Sequence, residues 1–211
     1  MVTYIFFDID DTLLFTSKNA YKKHCWICDK LGLPHTNKQL YFSYYGEKTI
    51  EEMASILIPR ITVKEYLDLY LESSQYIKYS PIYPNIKNIF SLLNWKWYKI
   101  WILTNWSSEK TNKKISVLWI KDYCSYIFHG ENLKYKKPNS NVFDQVFYTI
   151  KEDKFKIIYI WDSLEDYFST IWKWVTFYAV LTWYTQKEKF INAWLNDKFI
   201  YKNINCLLPL L

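Results

Sequence analysis

Two aspartates, one residue apart, follow the first apolar run of the chain and are well placed to do chemistry. Residues 4–7 are aromatic or β-branched and predict a buried strand. Because residues i and i+2 of an extended backbone face the same way, Asp8 and Asp10 present their carboxylates to one spot. Two converging carboxylates can hold a hard divalent cation or divide nucleophilic and acid–base work. An Asp-rich turn without chemistry is the alternative.

The order of elements after this run predicts how the two acids are placed. Further strands are predicted at residues 98–104, 126–128, 156–160, 175–181 and 198–200, and helices at about residues 84–94, 107–118, 139–151, 164–172, 186–195 and 203–211. This alternation predicts an α/β fold with a doubly wound, mainly parallel sheet covered by helices on both faces. Residues 16–83 instead show helical apolar spacing, with a capping box at Thr62 and Glu65.

Polar residues also follow later strands of the predicted sheet, at the edge where α/β proteins bind ligands. The strand at 98–104 leads into Thr104 and Asn105, whose hydroxyl and turn amides can receive a phosphate oxygen. The strand at 156–160 is followed by Asp162 and Asp166. Each has a simpler explanation, because threonine caps helices and acids are favoured near helix N-termini. Their occurrence at successive strand ends favours one common site.

A lysine stands before another predicted helix. Lys137 comes directly before Pro138, and proline suits the first turn of a helix, so this pair predicts a helix start. An ammonium group at this position can neutralise charge on the same anion. A solvated loop lysine is the simpler alternative.

Composition excludes several classes of protein. The formal net charge is +6, but Arg60 is the only arginine among the 27 basic residues, whereas nucleic-acid readers use arginine for bidentate contacts. No apolar run approaches the roughly 18 residues that a membrane-spanning helix needs. The apolar start is too short for a signal sequence. We therefore expect a cytoplasmic monomer or homodimer that binds neither nucleic acid nor membrane.

The four cysteines provide no disulfide framework for a chain of 211 residues. Cys25 and Cys28 form a lone CxxC with His24 and His35 nearby, which raises the alternative of a zinc site. A structural zinc site needs a second pair of ligands, and buried thiols are common in helices. A structural role is therefore favoured.

The glycine and tryptophan contents are both unusual. The chain holds 3 glycines and 11 tryptophans, and together they make up about 7% of the residues, the usual share of glycine alone. Several tryptophans, such as Trp97, Trp106 and Trp161, stand beside predicted strands where a residue without a side chain is expected. We hypothesise that UGA codons for glycine have been read as tryptophan. A protein that is truly rich in tryptophan is the alternative.

Four motifs in this order resemble those of the haloacid dehalogenase (HAD) superfamily, and within it the phosphoglycolate phosphatase-like branch. The matches are residues 8–12 to the first motif (DxDxT), Thr104 and Asn105 to the second, Lys137 and Pro138 to the third, and residues 162–166 to the fourth (GDSxxD). The resemblance covers nearly the whole chain. It implies a HAD-like Rossmannoid core of residues 1–15 and 84–211, with a helical cap of residues 16–83 inserted between the first two motifs.

The resemblance implies a phosphatase that uses Mg²⁺ and acts on a small phosphorylated metabolite through an aspartyl-phosphate. Asp8 is the implied nucleophile and Asp10 the acid–base catalyst. The implied metal ligands are Asp8, Asp10 through its backbone carbonyl, Asp162 and, as a weaker candidate, Asp166. The implied phosphate-binding residues are Thr104, Asn105 and Lys137, of which Thr104 and Lys137 are also implied to be catalytic by stabilising charge on the transferring oxygens.

Two departures from the family pattern keep other functions open. Trp106 and Trp161 stand where the family has glycine, and two indoles at the mouth of a phosphate site would obstruct it. If these tryptophans are authentic, a non-catalytic binding protein on the same scaffold is an alternative. A phosphosugar mutase similar to β-phosphoglucomutase is another, because sequence barely separates it from a phosphatase.

Overall fold

The computed structural model describes residues 1–78, 80–182 and 185–211, and it divides into two compact units. The core unit comprises Met1–Leu14 and Ile82–Leu211, and the helical unit comprises Phe15–Pro81. These bounds lie within two residues of the predicted boundaries. That the core unit is catalytic and the helical unit is its cap stays a prediction.

The helical unit contains four helices among its described residues: α1 (Thr16–Lys30), α2 (Lys38–Tyr44), α3 (Ile50–Leu57) and α4 (Val63–Ser73). The capping box at the start of α4 is confirmed, because the Thr62 hydroxyl accepts from the Glu65 N–H and the Glu65 carboxylate accepts from the Thr62 N–H. Thr49 opens α3 in the same way. Ile27 and Tyr66, from α1 and α4, pack in the core of this unit.

The core unit is built on a parallel sheet, which confirms the predicted fold class. Its six described strands are β1 (Val2–Phe7), β2 (Lys99–Leu103), β3 (Cys124–Phe128), β4 (Phe155–Trp161), β5 (Val175–Val180) and β6 (Ile200–Tyr201). They lie in the order β3-β2-β1-β4-β5-β6, and every neighbouring pair is parallel. Ile5, Phe6 and Phe7 of β1 are fully buried, as expected for a strand covered on both faces.

Helices connect these strands, and several of the predicted bounds differ from those in the structure. The described helices are α5 (Ile86–Trp95), α6 (Ser108–Leu118), α7 (Val142–Thr149), α8 (Leu164–Thr170), α9 (Lys187–Asn192) and α10 (Ile204–Leu207). Helix α7 begins at Val142, so Pro138 lies in the preceding loop and not in a first helical turn. A 3-10 turn at Asp197–Phe199 replaces most of the predicted strand at 198–200, and β6 follows it.

The strand order places the ends of β1 and β4 at the centre of the sheet. Connections leave β1 toward β2 on one side and β4 toward β5 on the other, so the order reverses between β1 and β4. In a doubly wound sheet this reversal opens a crevice at the carboxyl ends of the strands, where ligands bind. Phe7 is opposite Ile160 in the register. Asp8 and Asp162 therefore leave the sheet on either side of this crevice.

Candidate active site

Asp8 lies at the end of β1, and its carboxylate is buried with few partners. Its Oδ2 accepts a hydrogen bond of 3.0 Å from the Asp10 N–H. Its Oδ1 lies 3.5 Å from the Lys137 Nζ and accepts no hydrogen bond among the described residues. Burial raises the pKa of Asp8 to about 8, and the Lys137 charge lowers it only in part. Burial thus disfavours the charged form of this carboxylate, and such a perturbation is typical of functional acids.

The Lys137 ammonium is the centre of the site. Its Nζ lies 3.1 Å from the carbonyl oxygen of Leu103, 3.1 Å from the Tyr159 hydroxyl and 2.9 Å from the Asp166 Oδ1. Three acceptors match the three donors of an ammonium group, so its position is closely determined. The lysine predicted from the third motif therefore joins the acids of the first and fourth motifs.

Asp166, in the first turn of α8, completes this buried network. Its Oδ1 accepts from the Tyr159 hydroxyl at 2.8 Å and its Oδ2 from the Ser163 hydroxyl at 2.7 Å. Burial raises the pKa of Asp166, while Lys137 lowers it. Tyr159 is absent from the sequence prediction. It precedes Trp161 by two residues in β4, so strand alternation was the available signal that it faces the site.

Asp162 follows β4 and is also buried. Its Oδ1 accepts a hydrogen bond of 3.3 Å from the hydroxyl of Thr12, the last residue of the DxDxT motif. Burial raises its pKa well above the ordinary range, and the neighbouring charges of Asp11, Asp8 and Asp166 add to this rise. Several carboxylates thus crowd one small region with a single nearby ammonium described, a charge balance that a bound cation would improve.

The turn after β2 holds the lysine loop in place. The Asn105 side chain donates to the Lys137 carbonyl at 2.9 Å and accepts from the Lys137 N–H at 3.0 Å. Gly130 packs on this turn so closely that a Cβ there would lie 2.5 Å from the Asn105 carbonyl oxygen. Thr104 is buried, and its hydroxyl is 3.4 Å from the Trp106 N–H. The Asn105 side chain therefore positions Lys137.

The carboxylate of Asp10 is paired with a lysine of α6. Its two oxygens lie 2.5 and 2.7 Å from the Lys114 Nζ. The indole N–H of Trp106 also donates to Asp10, and the Lys114 Nζ lies 4.5 Å from the Trp106 ring centre. Lys114 was not predicted from the sequence, since a lysine on an exposed helix shows no motif.

Trp161 occupies the space beside the central lysine. The Lys137 Nζ is 3.0 Å from the centre of the Trp161 ring, and the ring is largely buried. The indole therefore packs directly against the ammonium. Trp106 and Trp161 thus contact two of the residues predicted from the motifs, Asp10 and Lys137.

The donor chemistry of the site fits a hard divalent cation. Asp8 and Asp162 supply buried carboxylate oxygens, and the Asp8 Oδ1 accepts no hydrogen bond among the described residues. No three acidic, histidine or cysteine side chains within the described ranges form a ready-made metal site. Oxygens of these two carboxylates, completed by water, are ligands that suit Mg²⁺.

The cysteine pair of the helical unit has different surroundings. Cys25 and Cys28 lie in α1, as predicted. The neighbouring His24 is buried with both ring nitrogens engaged, Nδ1 with the Tyr66 hydroxyl at 3.0 Å and Nε2 with the Thr36 hydroxyl at 2.7 Å. These contacts describe a hydrogen-bonded core histidine, in keeping with a structural role.

The sequence profile of haloacid dehalogenase-like hydrolases matches residues 5–180. The chain belongs to this family. The match spans all four motif regions, so the resemblance drawn from Asp8, Thr104, Lys137 and Asp162 is confirmed at the level of the family. No curated protein sequence matches the chain.

Solved structures of this HAD family share the fold across nearly the whole chain. A protein from Thermotoga maritima, proposed to be a β-phosphoglucomutase, superposes with a TM-score of 0.76 at 14% identity, with 100% of each chain covered. A predicted phosphoglycolate phosphatase from Haemophilus somnus gives 0.74 at 16% identity, covering 99% of this chain and 97% of the other. A hydrolase of the same family from Bacillus subtilis, solved with magnesium bound, gives 0.60 at 20% identity, covering 78% and 81%. Along the described parts of the chain, no helix has the length and apolar character to cross a bilayer.

Proposed function

We propose that this HAD protein is a Mg²⁺-dependent phosphatase that hydrolyses a small phosphorylated metabolite through an aspartyl-phosphate on Asp8. The observation that supports it is the convergence of Asp8, Lys137 and Asp166 at the sheet crevice, with ion-pair distances of 3.5 and 2.9 Å from the ammonium to the two acids. Membership in a family of hydrolases and the magnesium-bound relative agree with this reaction class.

Asp8 is the proposed nucleophile. One of its oxygens accepts the Asp10 N–H, which fixes the carboxylate, while the other is free of hydrogen bonds from the described residues. Attack of that oxygen on phosphorus forms the aspartyl-phosphate and expels the alcohol, and water then releases phosphate from Asp8. Splitting the reaction in this way replaces one difficult displacement by two easier ones.

Lys137 and Thr104 would stabilise the charge on the transferring oxygens. The ammonium is already held by protein acceptors, so it need not reorganise when the substrate arrives. The Thr104 hydroxyl and the backbone N–H groups of the following turn can receive a phosphate oxygen. Asn105 contributes through its side-chain bonds to Lys137.

Asp8, Asp162 and the carbonyl of Asp10 would hold Mg²⁺. Asp166 is the weaker candidate and would support this set of ligands. When bound, the ion reduces the repulsion between the anionic nucleophile and the anionic phosphate. The buried acids of this structure, whose pKa values are raised by burial, are the groups that such a charge would stabilise.

Asp10 is the proposed acid–base catalyst for the leaving alcohol and the attacking water. Its carboxylate is bonded to Lys114 and to the Trp106 indole in this structure. Proton transfer by Asp10 requires it to leave at least one of these contacts. We further propose that the helical unit, as a cap, selects the substrate.

Two other functions are distinguished by assay. A phosphosugar mutase, suggested by the Thermotoga maritima structure, would isomerise glucose 1-phosphate without releasing phosphate. A non-catalytic binding protein is favoured by one observation, that Trp106 and Trp161 cover Asp10 and Lys137. Titration calorimetry with Mg²⁺ and a phosphate mimic tests it, because a covered site should bind neither.

The deciding experiment is a screen of small phosphate esters with and without Mg²⁺, run on this chain and on a Trp106→Gly/Trp161→Gly variant. We expect phosphate release by the variant, and its loss by at least about 10⁴-fold when Asp8→Asn is added. Asp153→Asn, a change to an exposed acid, is the matched control and should retain activity. Undiminished turnover by the Asp8→Asn protein would exclude Asp8 as nucleophile.

A further inference from the structure

The backbone of this protein places tryptophan where only a few residue types are stable. Six non-glycine residues among those described have left-handed φ angles. Two are Asp11 and Asn85, types that tolerate this conformation. The other four are all tryptophan, with φ angles of 55–69°: Trp97, Trp119, Trp172 and Trp194. A bulky residue with φ above zero is an outlier in proteins, and four of one kind indicate a common cause.

Two of these tryptophans occupy the glycine position of a helix C-terminal motif. After α5, the Trp97 N–H donates to the Asn94 carbonyl at 3.0 Å and the Tyr98 N–H to the Leu93 carbonyl at 3.1 Å. This is the Schellman pairing, whose left-handed residue is usually glycine. After α9, the N–H groups of Trp194 and the residue that follows it make the same two bonds, each at 3.0 Å.

The chain itself provides a glycine reference for this motif. Helix α1 ends with Gly32 at φ 64°, its N–H donating to the Asp29 carbonyl at 3.1 Å and the Leu33 N–H donating to the Cys28 carbonyl at 2.8 Å. Trp97, at φ 65° after α5, repeats the angle and the bonding pattern of Gly32. Both positions require a left-handed φ angle, and the residue at one of them is glycine.

Trp172 lies in a turn with an equally strict requirement. The Lys173 N–H donates to the Thr170 carbonyl at 3.0 Å, and Ile171 has φ −60° and ψ 133°. With Trp172 at φ 63°, these are the angles of a type II turn, whose third residue needs φ above zero and is normally glycine.

Burial does not offset the cost of these conformations. The exposed fractions of Trp97, Trp119, Trp172 and Trp194 range from 76% to 96%, so their large apolar rings gain little from packing. Trp101 has a different unfavourable feature, because its indole N–H is buried in the core and has no hydrogen-bond partner among the described residues. An unpaired buried donor costs stability.

We propose that the tryptophan positions of this chain, including Trp106 and Trp161, are glycine in the functional protein, because one codon read as tryptophan specifies glycine in the source. The four left-handed positions carry this inference, and they lie outside the proposed catalytic residues. Its consequence for the site rests on the proposed function: glycine at 106 and 161 removes the indoles from Asp10 and Lys137 and opens the crevice between β1 and β4.

Peptide mapping by mass spectrometry of the protein purified from its native source tests the proposal directly. We expect glycine at positions 97, 119, 172 and 194 of the protein. In the gene, we expect the same codon, UGA, at all four positions. Tryptophan at these positions in native peptides would overturn the proposal. This readout does not depend on turnover, so an inactive glycine protein would contradict the proposed phosphatase and leave the glycine assignment intact.

A stability series tests the backbone argument in recombinant protein. Trp97→Gly and Trp172→Gly should each lower the unfolding equilibrium constant about 5- to 30-fold relative to Trp97→Ala and Trp172→Ala, because alanine removes the ring but not the left-handed strain. Trp95, exposed at the end of α5, is the matched control, where alanine should be at least as stable as glycine. Equal stability of alanine and glycine at 97 and 172 would contradict the proposal.

Discussion

Both units bury titratable groups, but they satisfy them differently. In the helical unit, His24 is buried with each ring nitrogen hydrogen-bonded, to Tyr66 and to Thr36. At the sheet crevice of the core unit, Asp8 is equally buried, yet one of its oxygens accepts no hydrogen bond among the described residues. The histidine is held by neutral partners, whereas the aspartate lies among other acids and the ammonium of Lys137.

This contrast separates a structural polar group from a candidate functional one. A neutral imidazole with two partners costs little to bury, so the His24 cluster can serve packing alone. Crowded carboxylates remain costly until a cation or substrate arrives, and natural proteins keep such sites mainly where they perform chemistry.

Lys137→Met should produce the largest loss of stability. The change leaves Asp8 and Asp166 buried without the ammonium that now lies 3.5 and 2.9 Å from them, and breaking a buried ion pair costs about 3–5 kcal/mol. Urea denaturation measures the loss. Adding Asp166→Asn should restore part of it, because fewer uncompensated charges remain. A stability equal to the parent protein would show that Lys137 does not balance these acids.

His24 should make the stability of the protein depend on pH. Burial and, to a lesser extent, the charge of His35 lower its folded pKa to about 4, from 6.5. Between these values the unfolded chain binds more protons, so stability is full above pH 6.5 and is lost as the pH falls toward 4. We expect a loss of about 2 kcal/mol from this group between pH 7 and pH 5.

Urea denaturation of His24→Gln at both pH values checks this dependence. The variant should lack the contribution of the histidine, whereas the exposed His35→Gln should retain most of it. An unchanged pH dependence in His24→Gln would mean that the imidazole titrates normally in the folded protein.

A pair of tyrosine variants should give the smallest and most selective effects. Tyr66→Phe leaves the His24 Nδ1 without its 3.0 Å partner, at a cost of about 1 kcal/mol in unfolding free energy. Tyr159→Phe should cost less, because Asp166 keeps Lys137 at 2.9 Å. Phosphatase turnover in the Trp106→Gly/Trp161→Gly background should respond in the reverse order, with a larger loss for Tyr159→Phe. If unfolding free energy and turnover rank the two variants in the same order, the surroundings of His24 and of Lys137 do not differ in role.

Much of the core unit was predictable from local patterns. The apolar runs that form β1, β2, β4 and β5 alternate with helical segments, and this period alone implies a parallel sheet. The position of β6 was predicted incorrectly, because residues 197–199 form a 3-10 turn and pairing with β5 begins only at Ile200. Short edge strands depend on tertiary pairing, which carries little local signal.

The acids of the candidate site could be predicted from the sequence, but the side chains that position them could not. Asp8 and Asp162 could be placed because they end apolar strands. Tyr159 could not be assigned, since a tyrosine within a strand is usually a packing residue. Lys114 lies far along the chain from Asp10, and only the fold brings their charges within 2.5 Å.

Residue types at short spacing were enough to predict the family, the alternation of strands and helices, and the acids at the strand ends, because each of these is a local feature. Composition and the positions of several tryptophans beside predicted strands also led to the hypothesis that these tryptophans replace glycine. The contacts of Asn105 and Tyr159 with Lys137 could be known only from the folded chain, because hydrogen bonds between distant segments require folded geometry. The fold also gave the tryptophans their left-handed angles, since φ at a turn is set by the helix and strand that the turn must join.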